Sequence, residues 1–118
     1  MSVLPNHAPH PAQAHYDPAR YAFYELRDEH GTYAHAAVSE HEDCLELHLE
    51  VVRWGPRSRR AMVADLEWLK DLARERGLAR IVGVRQEADG QPDPLWAKFT
   101  RLYGFTGQNV LQTAWLDL

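Results

Sequence analysis

Four arginines lie within a stretch of eight residues, where the sequence predicts the start of a long helix. They are Arg53, Arg57, Arg59 and Arg60. Guanidinium groups pair with phosphate through two parallel hydrogen bonds, so the cluster suits a pyrophosphate, a nucleotide or another polyanion. Cations at a helix N-terminus oppose the helix dipole by about 0.3–1 kcal/mol each, so something must compensate them. A solvated turn that faces the acidic residues at 40–43 would also do so, and the sequence leaves both possibilities open.

A second candidate group lies on one face of a predicted strand. Residues 45–52 alternate between apolar and polar types, which places Glu46, His48 and Glu50 opposite the leucines. A carboxylate or an imidazole there could take a proton from an amine. A strand with one solvated face displays the same residue types, and this plainer interpretation is favoured. His35 is predicted on the neighbouring strand, but a zinc site needs about three to four converging ligands, so we predict no metal.

The strands that position these residues follow from the hydrophobic periodicity. They are predicted over residues 21–26, 33–38, 45–52, 81–84 and 110–118, the last with Trp115 in the core. The short turns between the first three indicate an antiparallel meander.

Two helices are predicted between and after these strands. The first should begin after Pro56, with Ser58 as its cap, and end at Gly77. Its buried stripe is predicted to contain Met62, Leu66, Leu69 and Ala73. The second is predicted over residues 95–103, with Leu95, Phe99 and Leu102 on one side.

This order of elements predicts an α+β fold with a mixed, mostly antiparallel β-sheet and two main helices. Residues 1–20 contain four prolines and three histidines, which predicts an extended N-terminal arm rather than a packed element. The chain has 118 residues and 45% apolar content, so residues 21–118 are expected to form one domain.

Charge and cysteine content exclude several functional classes. The formal net charge is −4, from 17 acidic and 13 basic residues, which disfavours binding to nucleic acid or to an anionic membrane. No apolar run is long enough to span a bilayer, and the N-terminus lacks the pattern of a signal peptide. The single cysteine excludes an internal disulfide and fits a reducing compartment. We therefore expect a cytoplasmic protein without a membrane partner.

One ordered set of features resembles the GNAT N-acetyltransferase family. It comprises the meander, a long helix ending in Ala-Arg-Glu-Arg-Gly at 73–77, a short strand at 81–84, and Phe-Thr-Arg-Leu-Tyr-Gly-Phe at 99–105. The resemblance covers about residues 21–118. It implies an acetyl-CoA site formed by the family's fourth strand and the helix that follows it. In the family, the pyrophosphate lies on backbone N–H groups at the start of that helix, within a Gln/Arg-x-x-Gly-x-Gly/Ala motif.

The resemblance also implies roles for individual residues if the protein is an active enzyme. Acetyl-CoA would lie between the strand ending at Val52 and the strand at 81–84, against Val51 and Val52. The phosphates would be held by Arg53, Arg57, Arg59 and Arg60. Glu46, His48 or Glu50 would act as the base, and Thr100 or Tyr103 would supply the hydroxyl near the sulfur.

Three departures from the family pattern indicate lost catalysis. Arg60 and Met62 occupy the two glycine positions of the motif, and Thr100 stands where the family has its tyrosine. Residues 1–20 do not supply the family's first two helices. We therefore expect a degenerate acetyltransferase, similar to short GNAT-like proteins of tailed phages, that acts as a binding or assembly component with a protein partner or as a homo-oligomer. The alternative is an active acetyl-CoA-dependent N-acetyltransferase with an unknown amine acceptor.

Overall fold

The computed structural model describes residues 3–6, 9–85 and 89–118. Its elements in chain order are β1 (Val3–Pro5), a 3-10 turn (Pro11–Gln13), β2 (Ala22–Asp28), β3 (Gly31–His41), β4 (Cys44–Val51), α1 (Pro56–Glu75), β5 (Arg80–Gly83) and α2 (Pro94–Leu102). They belong to two compact units, Met1–Val84 and Arg85–Leu118.

The first unit contains one five-stranded sheet in the order β1-β2-β3-β4-β5. The first four strands are antiparallel neighbours, and β5 is parallel to β4. Tight turns join the meander: Gly31 has a φ of 113°, and Glu42 takes a φ of 55° between β3 and β4. The predicted α+β fold with a mixed, mostly antiparallel sheet is therefore confirmed.

Helix α1 packs on one face of this sheet. Its predicted stripe is confirmed, because Met62, Leu66, Leu69 and Ala73 are all buried. Leu69 and Ala73 join Ala36, Val38, Leu45 and Leu47 in the core cluster. Half-buried Trp68 lies edge-on to Tyr24, with ring centroids 5.1 Å apart. The predicted cap was wrong: Gly55 is the N-cap, and Ser58 lies three residues further on, where its hydroxyl oxygen accepts from the Gly55 N–H at 2.7 Å.

The N-terminal segment corrects the prediction that residues 1–20 contain no packed element. Val3–Pro5 pairs with β2 as an edge strand, and Val3 is buried opposite Leu26. Proline is tolerated on an edge strand, where its missing N–H faces away from the ladder. Pro11–Gln13 forms a 3-10 turn with Gln13 buried. The division into an arm of residues 1–20 and a domain of 21–118 stays a prediction.

The second unit contains α2, which begins at its predicted position. The Asp93 side chain caps it by accepting from the Leu95 N–H at 2.9 Å. Leu95 and Leu102, which were predicted on one side of this helix, are 75% and 82% exposed. The predicted strand over 110–118 was also wrong, because these residues form no regular element. Trp115 is 83% exposed rather than part of a core, since a strand buries its side chains only when it has partners.

Among the described residues, no helix combines the length and the apolar character that crossing a bilayer requires.

Candidate functional site

The arginine cluster is compensated by the turn between β2 and β3. Arg53 donates through both terminal nitrogens to the Asp28 carboxylate, at 2.9 and 2.7 Å, and also to the Gly31 carbonyl at 3.1 Å. The hydrogen bond from Arg53 is the main cause that lowers the pKa of Asp28, whose side chain is only 1% exposed. The acidic partner of Arg53 is thus Asp28 rather than residues 40–43, and Arg53 anchors the start of the loop before α1.

The next arginine of the cluster uses the same turn. Arg57 forms an ion pair with Glu29 at 3.2 Å and donates to the His30 Nε2 at 2.5 Å. Arg59 and Arg60 are exposed on the first turns of α1. Two of the cations that oppose the helix dipole, Arg53 and Arg57, are therefore offset by the carboxylates of Asp28 and Glu29.

The predicted phosphate motif lies inside the helix rather than in a loop before it. Because α1 begins at Pro56, Arg57, Arg60 and Met62 are all helical, and Met62 is 4% exposed in the core. Proline contributes no N–H, and the Arg59 N–H donates to the Gly55 carbonyl at 2.9 Å. In the first turn of α1, the N–H groups of Arg57 and Ser58 are the two that have no carbonyl four residues earlier within the helix, so they are the ones that could bind an external acceptor.

Strands β4 and β5 separate halfway along β4. Their ladder ends at the Leu47–Gly83 pair, with the Val84 N–H donating to the Leu47 carbonyl at 2.9 Å. Strand β4 continues to Val51, still paired with Ala34 on β3. Peptide groups alternate in direction along a strand, so those of Leu49 and Val51 point to the same side as that of Leu47. No described strand pairs with them there, which leaves an opening bordered by exposed Val51 and Val52.

The other face of β3 and β4 is covered by residues 10–21, which we call the strap. The Gln13 amide donates to the backbone carbonyls of His35 and His48, both at 3.2 Å. The Tyr16 ring lies 4.5 Å from the His48 ring. The favoured prediction of a solvated face was therefore wrong. His35 does lie on the neighbouring strand, where it pairs with Glu50, while His48 pairs with Ala37.

Glu46 and His48 form a polar network beneath the strap. The Glu46 carboxylate accepts from the Ser39 hydroxyl at 3.0 Å and from the Tyr21 hydroxyl at 3.3 Å, and lies 3.7 Å from the His48 Nε2. Tyr16 Oη lies 2.9 Å from the His48 Nδ1. Burial lowers the pKa of His48, although Glu46 opposes the shift, and burial raises the pKa of Tyr16. A neutral imidazole and a protonated phenol are the favoured states.

The two candidate hydroxyls lie in the second unit. Thr100 is buried, and its hydroxyl donates back to the Trp96 and Ala97 carbonyls at 3.0 and 3.1 Å. It also accepts from the Gln108 amide at 3.1 Å. Tyr103 is half-buried at the end of α2, with its ring 5.1 Å from that of Phe99. The Thr100 hydroxyl is therefore occupied by partners in its own helix and by Gln108 just after it.

Sequence reasoning missed the strap residues of this site and a buried pair beneath the loop before α1. Gln13, Tyr16 and Tyr21 all contact the β3–β4 face, and the Tyr33 hydroxyl donates to Asp65 at 2.5 Å. An amide and two tyrosines amid prolines and alanines were the available signal for the strap. Asp65 in an otherwise apolar helical stripe was the signal for the pair.

Comparisons with known proteins support the fold. No protein-family model matches the chain, and no curated protein sequence matches it. A solved structure assigned as an acetyl transferase from Pyrococcus furiosus has a TM-score of 0.57 at 18% identity, covering 81% of this chain and 66% of its own. The chain thus spans slightly under two thirds of that structure.

Two further solved structures carry specific names. Glucosamine-6-phosphate N-acetyltransferase from Arabidopsis thaliana has a TM-score of 0.51 at 15% identity, over 85% of this chain and 69% of its own. Aminoglycoside N-acetyltransferase AAC(6')-Iy, solved in complex with CoA, has a TM-score of 0.52 at 12% identity, over 84% and 76%. The chain therefore has the GNAT N-acetyltransferase fold, as the sequence predicted.

Proposed function

We propose that this protein is a degenerate GNAT-like acetyltransferase that acts as a binding or assembly component rather than as an enzyme. The observation that carries the proposal is the strap. It occupies the face of β3 and β4 that bears Glu46 and His48, and an acceptor amine would have to reach that face to lose its proton.

The phosphate end of the candidate coenzyme site supports the same conclusion. Arg53 and Arg57 are engaged by Asp28 and Glu29, and the motif position of Met62 is filled by a buried side chain. Two peptide N–H groups at the start of α1 make a weak cradle for a pyrophosphate. The residues present therefore fit the phosphate end of acetyl-CoA poorly.

A contact role is supported by the second unit. Val110, Leu111, Trp115 and Leu116 are each at least 76% exposed. Exposed apolar residues in one short segment are typical of contact surfaces, and tryptophan is enriched among residues that dominate binding. We accordingly propose a protein partner or a homo-oligomer, without nucleic acid or membrane. Location in the cytoplasm and a phage genome as the origin stay predictions.

Titration calorimetry with acetyl-CoA at low salt tests the loss of coenzyme binding. The proposal expects no saturable heat up to millimolar ligand, for the wild type and for Arg57→Ala and Arg60→Ala alike. Saturable binding that disappears in the two variants would contradict it.

Sedimentation velocity over a concentration series tests the contact role. Self-association should weaken in Trp115→Ser and persist in the control Val63→Ser, which changes an exposed residue of α1. A chain that stays monomeric at all concentrations would count against homo-oligomers and leave a different protein as the required partner.

The opening between β4 and β5 favours one alternative, an acetyl-CoA-dependent N-acetyltransferase. The peptide groups of Leu49 and Val51, which pair with no strand of the described residues on this side, suit the amide-bearing arm of an acyl-CoA, which supplies the activated acetyl group when bound. Glu50 is then the best placed base, because it lies on the part of β4 beyond β5. Glu46 and His48 are covered by the strap. The hydroxyl near the sulfur, Thr100 or Tyr103, stays a prediction. Acetyl-CoA hydrolysis or transfer that is abolished by Glu50→Gln and kept by Glu46→Gln would establish this alternative.

A further inference from the structure

The strap is held at its ends by backbone pairing and in its middle by polar and ring contacts. On its N-terminal side, β1 pairs with β2, and the Asn6 N–H donates to the Phe23 carbonyl at 2.8 Å. On its C-terminal side, Tyr21 leads directly into β2. Between these ends, Gln13 is the one strap residue that is fully buried, and most of the others are exposed. Segments with so little apolar burial open at low free-energy cost while the sheet below remains folded.

Histidines supply much of the contact between the strap and the sheet. The His10 ring lies 4.8 Å from the His35 ring, and the His15 ring lies 4.1 Å from that of Tyr16. Tyr16 in turn contacts His48 through its ring and its hydroxyl. His35 and His48 are thus partly covered by aromatic rings of the strap.

His35 and His48 each have a buried ring nitrogen without a hydrogen-bond partner among the described residues. These atoms are His35 Nδ1 and His48 Nε2. In neutral His48 with its proton on Nε2, the Tyr16 hydroxyl donates to Nδ1. Protonation of Nδ1 turns that nitrogen into a donor, so the existing hydrogen bond must reverse. The charged ring would also lose most of its solvation beneath the strap, where its side chain is 13% exposed, and the Glu46 carboxylate 3.7 Å from Nε2 offsets only part of that cost.

The charged and titratable groups around each histidine have opposing effects. His35 faces His10 from the strap, Glu25 from β2 and Glu50 from β4. His48 faces Glu46 on its own strand, and His15, Tyr16 and Tyr21 from the strap. The glutamates favour protonation, but burial is the larger effect and lowers the pKa of both histidines. A lowered pKa in the covered state means that the strap's attachment is strongest at neutral pH and above, and weakens as the pH falls below the ordinary range of histidine.

We propose that the strap is an acid-sensitive cover, released from the β3–β4 face when His35 and His48 take up protons, while β1 stays paired with β2. Release would uncover Glu46 and His48 on a sheet that remains folded. The inference concerns the strap alone, and it stands whether or not the protein binds a coenzyme.

Hydrogen–deuterium exchange on the intact protein tests the proposal. The relevant amides are those of Gln13, Ala14 and Tyr16, which donate within the strap. Between about pH 8 and about pH 5, protection factors corrected for intrinsic exchange should fall, by up to about tenfold per pH unit for each proton taken up. The amides of β3 and β4 should keep their protection. Strap protection that does not change with pH, or that is lost together with the sheet, would overturn the proposal.

Matched variants separate the two histidines from general acid effects. His35→Asn and His48→Asn remove the titrating rings, and asparagine at position 48 keeps an acceptor for the Tyr16 hydroxyl. Together they should flatten the pH profile, whereas His41→Asn, at an exposed position of β3, should leave it unchanged. A double variant with the wild-type slope would overturn the proposal. If the double variant does not fold, an NMR titration of the wild type tests the proposal instead. The chemical shifts of the strap amides and of the His35 and His48 rings should change with the same pH midpoint. Separate midpoints would refute release by protonation.

Discussion

Removing one hydroxyl from the sheet should loosen the attachment of α1 near the loop that precedes it. Tyr33 on β3 and Asp65 on α1 are 0% and 1% exposed, and the Tyr33 hydroxyl donates to Asp65 Oδ2 at 2.5 Å. The same tyrosine holds the loop, because its carbonyl accepts from the Val52 and Arg53 N–H groups at 2.9 and 3.1 Å. Tyr33→Phe leaves the ring and those backbone bonds in place and deletes only the side-chain donor.

The expected cost follows from burial and geometry. The 2.5 Å separation is in the range of hydroxyl-to-carboxylate bonds, which are stronger than neutral ones. Removing the donor leaves a buried acid without one of its partners, so the free energy of unfolding should fall by about 2–3 kcal/mol. For a unit of this size, that loss lowers the melting temperature by at least about 8 °C.

Urea denaturation followed by circular dichroism measures this cost. Tyr24→Phe is the matched control, since Tyr24 lies on the adjacent strand, is half-buried with its ring against Trp68, and its hydroxyl has no hydrogen bond among the described residues. The control should change the free energy of unfolding by less than about 0.5 kcal/mol. If Tyr33→Phe cost no more than Tyr24→Phe, the Tyr33–Asp65 bond would not anchor α1, and the reasoning would be refuted.

Three further predictions concern the same unit. Leu69→Ala opens a cavity in the core cluster and should cost about 2–5 kcal/mol in urea denaturation, against less than about 0.5 kcal/mol for exposed Val63→Ala. The lowered pKa of Asp28 means that its pairing with Arg53 stabilises the fold above the ordinary acid range of a carboxyl and is lost as the pH falls through the lowered value. Asp28→Asn should therefore flatten the acid limb of stability against pH, and an unchanged limb would contradict this. Gly77 follows α1 with a φ of 70°, so Gly77→Ala should lower the free energy of unfolding by about 1 kcal/mol, and Gly77→Asn should lower it less. Equal stability of the wild type and both variants would exclude the left-handed conformation.

The sequence predicted the elements that carry their own periodicity. The alternation along β4 and the four-residue stripe of α1 identify both their secondary structure and their buried faces, because each depends on local spacing. The order of the elements together with the motifs at 73–77 and 99–105 predicted the GNAT fold, which the structural comparisons support. Start and end signals were less specific, since Gly55 rather than Ser58 caps α1.

Features that depend on distant partners were not predictable in the same way. Val3–Pro5 is too short to show alternation, and it is a strand only because β2 offers it an edge. The partner of Arg53 lies 25 residues away in sequence, so charge patterning pointed to the wrong acidic residues. The segment 110–118 contains residues with high strand propensity, but propensity without a hydrogen-bonded partner does not make a strand.

The candidate site shows the same division. The alternation of apolar and polar residues identified Glu46, His48 and Glu50 as one face, and this much is confirmed by the register with β3. What covers the face was not visible, because Gln13 and Tyr16 reach it from a segment whose prolines and alanines indicate an extended arm. The roles of the predicted catalytic and coenzyme-binding residues stay predictions.

The order of strands in the sheet has a consequence for how the unit forms. Neighbours in space are neighbours in the chain, and β2, β3 and β4 are joined by turns so short that each hairpin closes a small loop. The parallel β4–β5 pair is different, since the whole of α1 must cross the sheet before Leu47 can meet Gly83. Closing that longer loop costs more entropy, and non-local pairings form late for this reason. We expect the hairpins to assemble first and β5 to join only once α1 has docked, which makes the opening beside β4 the last part of the sheet to take shape.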